Sequence, residues 1–456
     1  MDFLIILPIL VTVVGAYMLV RLRFFFIIHP IKTAKRLLKS LKVRENFSAL
    51  SLALAGTLGV GNIFGVAVGI MIGGAGSLFW MFVSAVFSAA IKYSEVVMCA
   101  SEGERCGRGM MNVIEKSLGK RGKIVGGVYA ALCLLLSFAM GSALQAGSVG
   151  GVATDSLGTS PVLVLAVLLV LVALGISGGV LKIEKMTSFI IPATTIIYIL
   201  MSLFVIFSKI ALLPSVIWQI VSSAFSLESV GGGVASFAMI RAIKEGYVSG
   251  VLSNEAGVGT SSMAHTRARD ISACECGLFG IVEVLFDTVF ICMLSGVVIL
   301  LFNDSPAEYS SAMRLVSDSF ASVLGDGSRF VLLLCVLSFA YSTIVCWYYY
   351  GNVCRRYLFG ERFSKIFTAL FLVFICVGVS ASDIFSVRLA DTLLLLMSLP
   401  TLFSLIKFSD RIVTLSEKEK LILKSNKKIT KGGFLKGRSH RAVQASPEDK
   451  TRSSFR

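Results

Sequence analysis

The sequence predicts an all-α polytopic membrane protein, and three observations support this fold class. Of the 456 residues, 55% are hydrophobic and only 15% are charged, with a mean hydropathy of +0.84, a composition that fits a soluble enzyme badly. The chain also contains eleven apolar stretches of about 18 residues or more, the length needed to cross a membrane as a helix. They lie near residues 3–20, 47–73, 76–100, 122–152, 161–177, 187–208, 229–249, 277–302, 329–354, 363–381 and 388–406. The third observation is the distribution of basic residues between these stretches.

That distribution predicts the orientation of the chain. If the N-terminus lies outside, 38 of the 43 Lys and Arg residues fall in loops or tails on the cytoplasmic side, as the positive-inside rule requires. We therefore expect an integral protein of the cell (plasma) membrane with its N-terminus outside and its C-terminus cytoplasmic. The formal net charge of +16 then needs no nucleic-acid partner. Membrane lipid is the expected partner of the basic tail at 409–456.

Three glycines interrupt the second apolar stretch, where a helix would have to cross lipid. Gly59, Gly61 and Gly65 lie within seven residues, and each costs about 1 kcal/mol relative to Ala inside a helix. Close helix packing explains Gly65, but it does not explain the first two glycines between Thr57 and Asn62. Unwound backbone at this depth directs amide N–H groups at a carboxylate and leaves carbonyls for a small cation. We therefore predict a site for a carboxylate solute and a cation.

Polar side chains also occur inside later apolar stretches. Lys92 and Glu95 lie one helical turn apart and are predicted to form an ion pair. Gln145 can contact a zwitterionic solute or make an interhelical hydrogen bond, and the residues alone leave both alternatives open. Glu283 and Asp287 lie four residues apart on one helical face, and they supply carboxylates of the kind that proton coupling uses.

The second half of the chain carries another glycine cluster, at residues 231–233. Two glycine-broken segments, each opening a group of five apolar stretches, indicate inverted repeats with a site between them. The amphipathic stretch at 311–324 is predicted to lie on the membrane surface. The expected units are an N-terminal transmembrane helix with a basic cytoplasmic loop (1–45), a first five-helix repeat (46–210), a second five-helix repeat (211–408) and a basic cytoplasmic tail (409–456).

Three motifs resemble those of a known transporter family. They are ALAGTLGVGNIFG at 53–65, SNEAG at 253–257 with a following Ala264-His265, and FAYSTIVCWYYYG at 339–351. The chain is identified from them as a member of the sodium:alanine (alanine or glycine:cation) symporter family, over most of residues 46–410. It is a divergent member. Val60 stands where the family usually has a small polar residue, and Ser148 and Thr401 stand where the family usually has Asn.

The resemblance implies a leucine-transporter-like fold, with a 5+5 inverted repeat, one extra N-terminal helix and about 11 transmembrane helices. It implies sodium-coupled import of a small neutral amino acid, such as alanine or glycine, by alternating access. Sodium would be the coupling ion, and no cofactor is expected. The implied substrate-binding residues are Thr57, Gly59, Gly61, Asn62, Gln145 and Trp347, and the implied sodium ligands are Ala55, Leu58, Ser342 and Thr343.

Two other functions are compatible with the residues. A proton-coupled amino-acid transporter would use the carboxylates of Glu283, Asp287 and Asp391, and its uptake would follow pH rather than sodium. A transport-inactive amino-acid sensor of the same fold would bind without counterflow. An enzyme is not expected, because the three His residues and the loops show no nucleophile–base or metal arrangement.

Overall fold

The computed structural model describes residues 5–102, 109–225, 232–302, 306–380 and 383–419, and this part of the chain is helical, without strands. Its helices are α1 (Ile6–Arg21), α2 (Phe25–Ile28), α3 (Pro30–Ser40), α4 (Arg44–Thr57), α5 (Phe64–Gly73), α6 (Gly76–Ser101), α7 (Met110–Leu118), α8 (Gly122–Phe138), α9 (Gln145–Leu157), α10 (Pro161–Ile176), α11 (Gly179–Ser208), α12 (Leu213–Ala224), α13 (Gly232–Asn254), α14 (Ser262–His265), α15 (Ala273–Val284), α16 (Met293–Phe302), α17 (Ala312–Leu324), α18 (Gly327–Phe359), α19 (Ser364–Ser380), α20 (Asp383–Lys407) and α21 (409–419).

Six helical segments of the described chain are long and apolar enough to cross a membrane. They are Gly76–Ser101, Met110–Thr154, Gly179–Ser208, Ala273–Phe302, Gly327–Phe359 and Leu389–Lys407. Apolar side chains on the outer helices are exposed, for example Val162 on α10 and Phe189 on α11 at 69% and 76%, which suits contact with lipid. Helices overlap all eleven predicted stretches, and eleven crossings stay a prediction.

The predicted break in the second apolar stretch is confirmed. α4 ends at Thr57 and α5 begins at Phe64, with a short 3-10 turn at Val60–Asn62 between them. We call residues 58–63 the first break. It lies inside the bundle, where α18 packs against α4 and α13 packs against α5, so protein groups are available to bond its free backbone.

A second break lies at a position that the sequence did not predict. Gly232 and Gly233 of the predicted glycine break are helical, in α13, whereas residues 226–231 lie outside the described residues, so an interruption at that run stays a prediction. The chain leaves helical geometry over residues 255–261, between α13 and α14, and we call this segment the second break. Gly257 and Gly259 have φ of +86° and +83° there, a left-handed conformation that glycine adopts without strain.

Two π-helical turns interrupt the long helical segments. One occupies Ala139–Leu144 between α8 and α9, and the other occupies Leu285–Cys292 between α15 and α16. Such turns are frequent at functional sites. The first ends directly before Gln145, and the second contains Asp287, so each directs a candidate site residue into the bundle.

The amphipathic stretch at 311–324 forms α17, but its prediction as a membrane-surface helix is wrong. Its apolar face packs on the protein, against α5, α9 and α18, and Leu315 and Phe320 are fully buried. Arg329, at the start of α18, holds Asp318 of α17 with an N–O distance of 2.7 Å. The apolar face of α17, which the sequence pattern assigned to lipid, therefore packs on the protein core.

The beginning of the tail is ordered. Residues 409–419 form α21, which binds the end of α6 through the pair of hydroxyls on Tyr93 and Ser416, 2.9 Å apart. Residues 420–456, which hold most of the tail's basic residues, lie outside the described residues, and lipid binding by the tail stays a prediction.

Candidate functional site

The first break brings two predicted substrate residues together. Gln145 Oε1 accepts a hydrogen bond from the Val60 N–H at 3.2 Å, across 85 positions of sequence. A Cβ placed on Gly59 would lie 2.9 Å from Gln145 Oε1 and 2.9 Å from Thr343 Oγ1. Glycine at this position therefore lets both side chains touch the unwound backbone.

The carbonyl end of α4 supplies two of the predicted sodium ligands. Thr343 Oγ1 donates to the Leu58 carbonyl at 3.3 Å. In a continuous helix the Gly59 N–H would bond to the Ala55 carbonyl, but here it donates to Asn62 Oδ1 at 3.0 Å. The break thus leaves the Ala55 carbonyl without its helical partner, and carbonyl and hydroxyl oxygens of this kind suit a small hard cation.

Two buried polar groups on α18 lie in the same segment as Thr343. Ser342 Oγ and Trp347 Nε1 have no hydrogen-bond partner among the described residues, although both side chains are fully buried. Unpartnered buried polar groups are rare in folded proteins. The indole of Trp347 packs on Gly141, in the π-helical turn that leads into Gln145. Both groups lie on α18, the helix that contacts the first break through Thr343.

Thr57 and Gly61 are two further residues that were predicted to bind the substrate. Thr57 Oγ1 donates within α4, to the Ala53 carbonyl at 3.5 Å. Gly61 is partly exposed, and a Cβ added to it would have no heavy atom within 4 Å. Gly61 therefore borders open space next to the break, and the assignment of both residues to the substrate stays a prediction.

Asn62 joins a buried polar network that the sequence analysis did not predict. Its amide donates to Ser253 Oγ at 3.0 Å and to Asp287 Oδ1. Ser253 and Thr288 donate to Asp287 Oδ2 at 2.7 Å and 2.8 Å. All four side chains are at most 3% exposed, and no described Lys, Arg or His pairs with the carboxylate. The network joins the first break to α13 and to the second π-helical turn with oxygen ligands that suit a hard cation.

The SNEAG motif forms the end of α13 and the second break, whose backbone is bonded by side chains. The Val258 carbonyl accepts from Tyr129 OH at 2.7 Å and from Thr401 Oγ1 at 3.4 Å. Asn254 Oδ1 accepts from the Ala256 N–H at 3.0 Å. Broken backbone inside a membrane protein persists where such groups satisfy it. The sequence signal for this break was the pair of glycines, Gly257 and Gly259, that follows Asn254-Glu255.

The predicted ion pair between Lys92 and Glu95 is wrong. The Lys92 ammonium donates to the Glu255 carbonyl at 3.2 Å and to Ser261 Oγ at 2.9 Å, and it lies 3.6 Å from the Glu283 carboxylate. These groups belong to the second break and to α15. Sequence spacing alone could not show that they face Lys92.

The three carboxylates considered for proton coupling do not form one chain. Glu283 lies between Lys92 and His265, whose Nε2 is 2.5 Å from its carboxylate. Asp287 belongs to the network with Asn62. Asp391 is buried on α20, and no hydrogen bond among the described residues links it to the other two carboxylates.

The loop after α14 is tied to α11 by a charged pair. Arg267 donates to Glu184. Burial opposes the charge on the guanidinium, but the hydrogen bonds and charges of Glu184 and Tyr349 together outweigh it and raise the pKa of Arg267 above its usual value. The second break is therefore anchored on this side by a permanent cation.

Comparison with known proteins gives a consistent result. The pattern of the family described as the sodium:alanine symporter family matches residues 2–430. The chain is 32% identical over 425 residues to the sodium/alanine symporter AgcS of Methanococcus maripaludis, which covers 89% of this chain and 92% of that protein. It is 33% identical over 340 residues to the putative sodium/proton-dependent alanine carrier protein YrbD of Bacillus subtilis, covering 70% and 69%. The probable sodium/glutamine symporter GlnT of Bacillus subtilis is 28% identical over 343 residues, covering 73% and 70%.

Proposed function

Because the chain belongs to the sodium:alanine symporter family, we propose that it is a sodium-coupled secondary active transporter that imports a small neutral amino acid, such as alanine or glycine, by alternating access. The coarser function follows from the family itself. The chain is an integral membrane protein for cation-coupled amino-acid transport, a symporter rather than an enzyme. The names of the relatives differ in amino acid and in ion, so the substrate and sodium belong to the proposal.

The hydrogen bond between Gln145 and the first break carries the proposal. A polar side chain from α9 thus already contacts an amide group of the unwound backbone, and backbone amides at a broken helix are groups that bind a substrate carboxylate. The small solute would enter the open space that borders Gly61. Thr57 and Asn62 flank this backbone, and the indole of Trp347 would limit the size of the substrate side chain.

Sodium would bind at the carbonyl end of α4. The proposed ligands are the carbonyl oxygens of Ala55 and Leu58 and the hydroxyls of Ser342 and Thr343, of which Thr343 already contacts Leu58. Each sodium ion that moves inward would add about 2.3 kcal/mol per 100 mV of membrane potential to the driving force.

The proposed architecture is the 5+5 inverted repeat at 46–210 and 211–408, preceded by one extra N-terminal helix. Support comes from the two broken helices, since the first break falls in the first group and the second break falls in the second. The proposed orientation in the cell membrane is N-terminus outside and C-terminus cytoplasmic, with lipid as the surrounding partner.

Proton coupling is the second candidate function, and Asp287 favours it. This buried carboxylate is surrounded by the neutral donors of Asn62, Ser253 and Thr288, so its charge has no fixed counterion among the described residues. A buried carboxylate in that situation takes up either a cation or a proton. The same residue is therefore compatible with both coupling ions.

The first test is uptake of labelled alanine and glycine into proteoliposomes that contain the purified protein. An inward sodium gradient should drive accumulation, because the amino acid and the ion share the first break. Gln145→Ala should reduce uptake by at least about tenfold, as expected for the loss of a hydrogen bond to a charged group. Gln219→Ala, on the partly exposed α12, is the matched control and should transport normally.

The other outcomes are informative. Accumulation that follows an inward proton gradient and ignores sodium would replace sodium by the proton as coupling ion. Binding without accumulation under either gradient would favour an amino-acid sensor of the same fold and overturn the symporter proposal.

Trp347 should set the upper size of the substrate. Trp347→Phe removes part of a ring that packs on Gly141. We expect larger neutral amino acids such as glutamine to compete about tenfold better with labelled alanine. Pocket contacts of one or two carbons change the relative affinity of two substrates by about that factor. Tyr348→Phe removes only the hydroxyl that pairs with Thr368, and it should leave the competition profile unchanged. Equal profiles for both variants would remove Trp347 from the substrate site.

A further inference from the structure

Lys92 is a fully buried lysine in the middle of α6, and oxygen atoms surround its ammonium. They are the Glu255 carbonyl at 3.2 Å, Ser261 Oγ at 2.9 Å and a Glu283 carboxylate oxygen at 3.6 Å. An ammonium has three N–H donors; here it hydrogen-bonds to the carbonyl and the hydroxyl and forms an ion pair with the carboxylate. A carbonyl, a hydroxyl and a carboxylate are also a ligand set that a free monovalent cation would accept.

The position of this ammonium in the fold is equally informative. Glu255 is the first residue beyond α13, so its carbonyl lies at the end of the helix that carries partial negative charge. Carbonyls at the C-terminal ends of broken helices are the usual cation ligands of such transporters. At the first break, the corresponding Leu58 carbonyl is contacted by a neutral hydroxyl from Thr343. At the second break, the charged amine of Lys92 contacts the Glu255 carbonyl.

We propose that Lys92 acts as a covalently attached cation for the second break, in the position that a free monovalent cation would otherwise take. The ammonium joins three elements, because it connects α6 to the end of α13 and to α15. Without it, the Glu255 carbonyl and the Glu283 carboxylate would lose the ammonium that lies next to both. Lys92 is therefore a positioning residue for the second broken helix, whatever amino acid the transporter carries.

Neighbouring residues are arranged to admit the lysine. Gly280 of α15 faces its stem, and a Cβ there would lie 3.0 Å from Lys92 Cγ and 3.1 Å from its backbone oxygen. His265 approaches the other oxygen of Glu283 at 2.5 Å. The carboxylate is thereby held from both sides, which fixes the cation position before any substrate binds.

The proposal is tested by restoring a free amine to a shortened side chain. Lys92→Ala leaves room for a small cation, and we expect uptake by this variant to fall at least about tenfold. Added methylammonium should then restore uptake in a saturable manner, whereas tetramethylammonium, which is too large and has no N–H donor, should not. Lys92→Met is the matched control, because its side chain fills the same space without charge, and methylammonium should not rescue it.

A measurement that does not depend on transport accompanies the uptake assay. Methylammonium should raise the melting temperature of detergent-solubilised Lys92→Ala, and it should leave the wild-type protein and Lys92→Met unchanged, because a ligand stabilises only the form that binds it. Stabilisation without any amino-acid uptake by the wild type would retain this proposal and reject the proposed function. Equal responses of the Ala and Met variants, or no response of the Ala variant in either assay, would overturn it.

Discussion

Gly59→Ala should fold normally and yet lose at least about 100-fold in sodium-driven uptake, a change of about 2.7 kcal/mol. The reason is steric and local. The added Cβ would lie 2.9 Å from Gln145 Oε1 and 2.9 Å from Thr343 Oγ1, and both atoms are ends of flexible side chains that can turn away. The backbone is extended at Gly59, with φ of −116°, so alanine causes no backbone strain. The variant therefore displaces one proposed substrate contact and one proposed sodium ligand at once.

Gly65→Ala is the matched control for this variant. Gly65 lies six residues further along, at the start of α5, and a Cβ there has no heavy atom within 4 Å. Alanine is better than glycine inside a helix by about 1 kcal/mol, so this variant should be at least as stable and should transport normally. Both proteins are compared by size-exclusion profile, melting temperature and uptake. Normal uptake by Gly59→Ala, with normal folding, would remove the first break from the transport site.

The first break could be predicted from sequence because its signal is local. Gly59, Gly61 and Asn62 put flexible backbone and a polar side chain at one depth of one apolar stretch, and lipid does not tolerate that combination in a regular helix. Gln145 was predicted only as one of two alternatives. The partner of its amide, the Val60 N–H, lies 85 positions away, and no spacing rule within one helix relates the two.

The second break at 255–261 was not predicted, because the interpretation relied on the denser glycine cluster at 231–233. Within the described residues Gly232 and Gly233 are helical, and a break before them stays a prediction. α13 ends at Asn254, and Gly257 and Gly259 have positive φ shortly after that end. Glu255 also has positive φ, at 52°, which is uncommon for a residue other than glycine and often marks a functional segment.

The network around Asp287 could not be assembled from sequence for a further reason. Asn62, Ser253 and Asp287 lie on three elements, and a π-helical turn changes the direction of Asp287 relative to the regular helical face that it seemed to share with Glu283. Helical spacing had grouped the two carboxylates. In the structure Glu283 contacts Lys92 and His265, whereas Asp287 contacts the first break.

Asp287→Asn should lose concentrative uptake by about 100-fold while the protein remains folded. The amide of Asn has nearly the shape of the carboxylate and can still bond to Ser253 and Thr288, which lie 2.7 Å and 2.8 Å from Asp287 Oδ2. The substitution removes the negative charge and, at the position of Oδ1, replaces the acceptor of the Asn62 amide by an NH2 group. Because burying a carboxylate without a counterion costs several kcal/mol, the wild-type residue has to bind a cation or a proton during the cycle. Asparagine cannot take up a proton, and its neutral carbonyl oxygen binds a cation more weakly than a carboxylate does.

The same variant separates the two coupling ions when uptake is driven by each gradient in turn. If Asp287 helps to bind sodium, the wild type responds to an imposed sodium gradient, and the variant loses that response at every pH. If Asp287 carries a proton, the wild type responds to an imposed proton gradient, and the variant loses its pH dependence instead. Glu361→Gln, which removes a 75% exposed carboxylate paired with Arg356, is the control and should change neither response. Unchanged uptake by Asp287→Asn under both gradients would show that the charge of Asp287 is not needed for coupling, and the coupling ion would then have to bind at the carbonyl end of α4 alone.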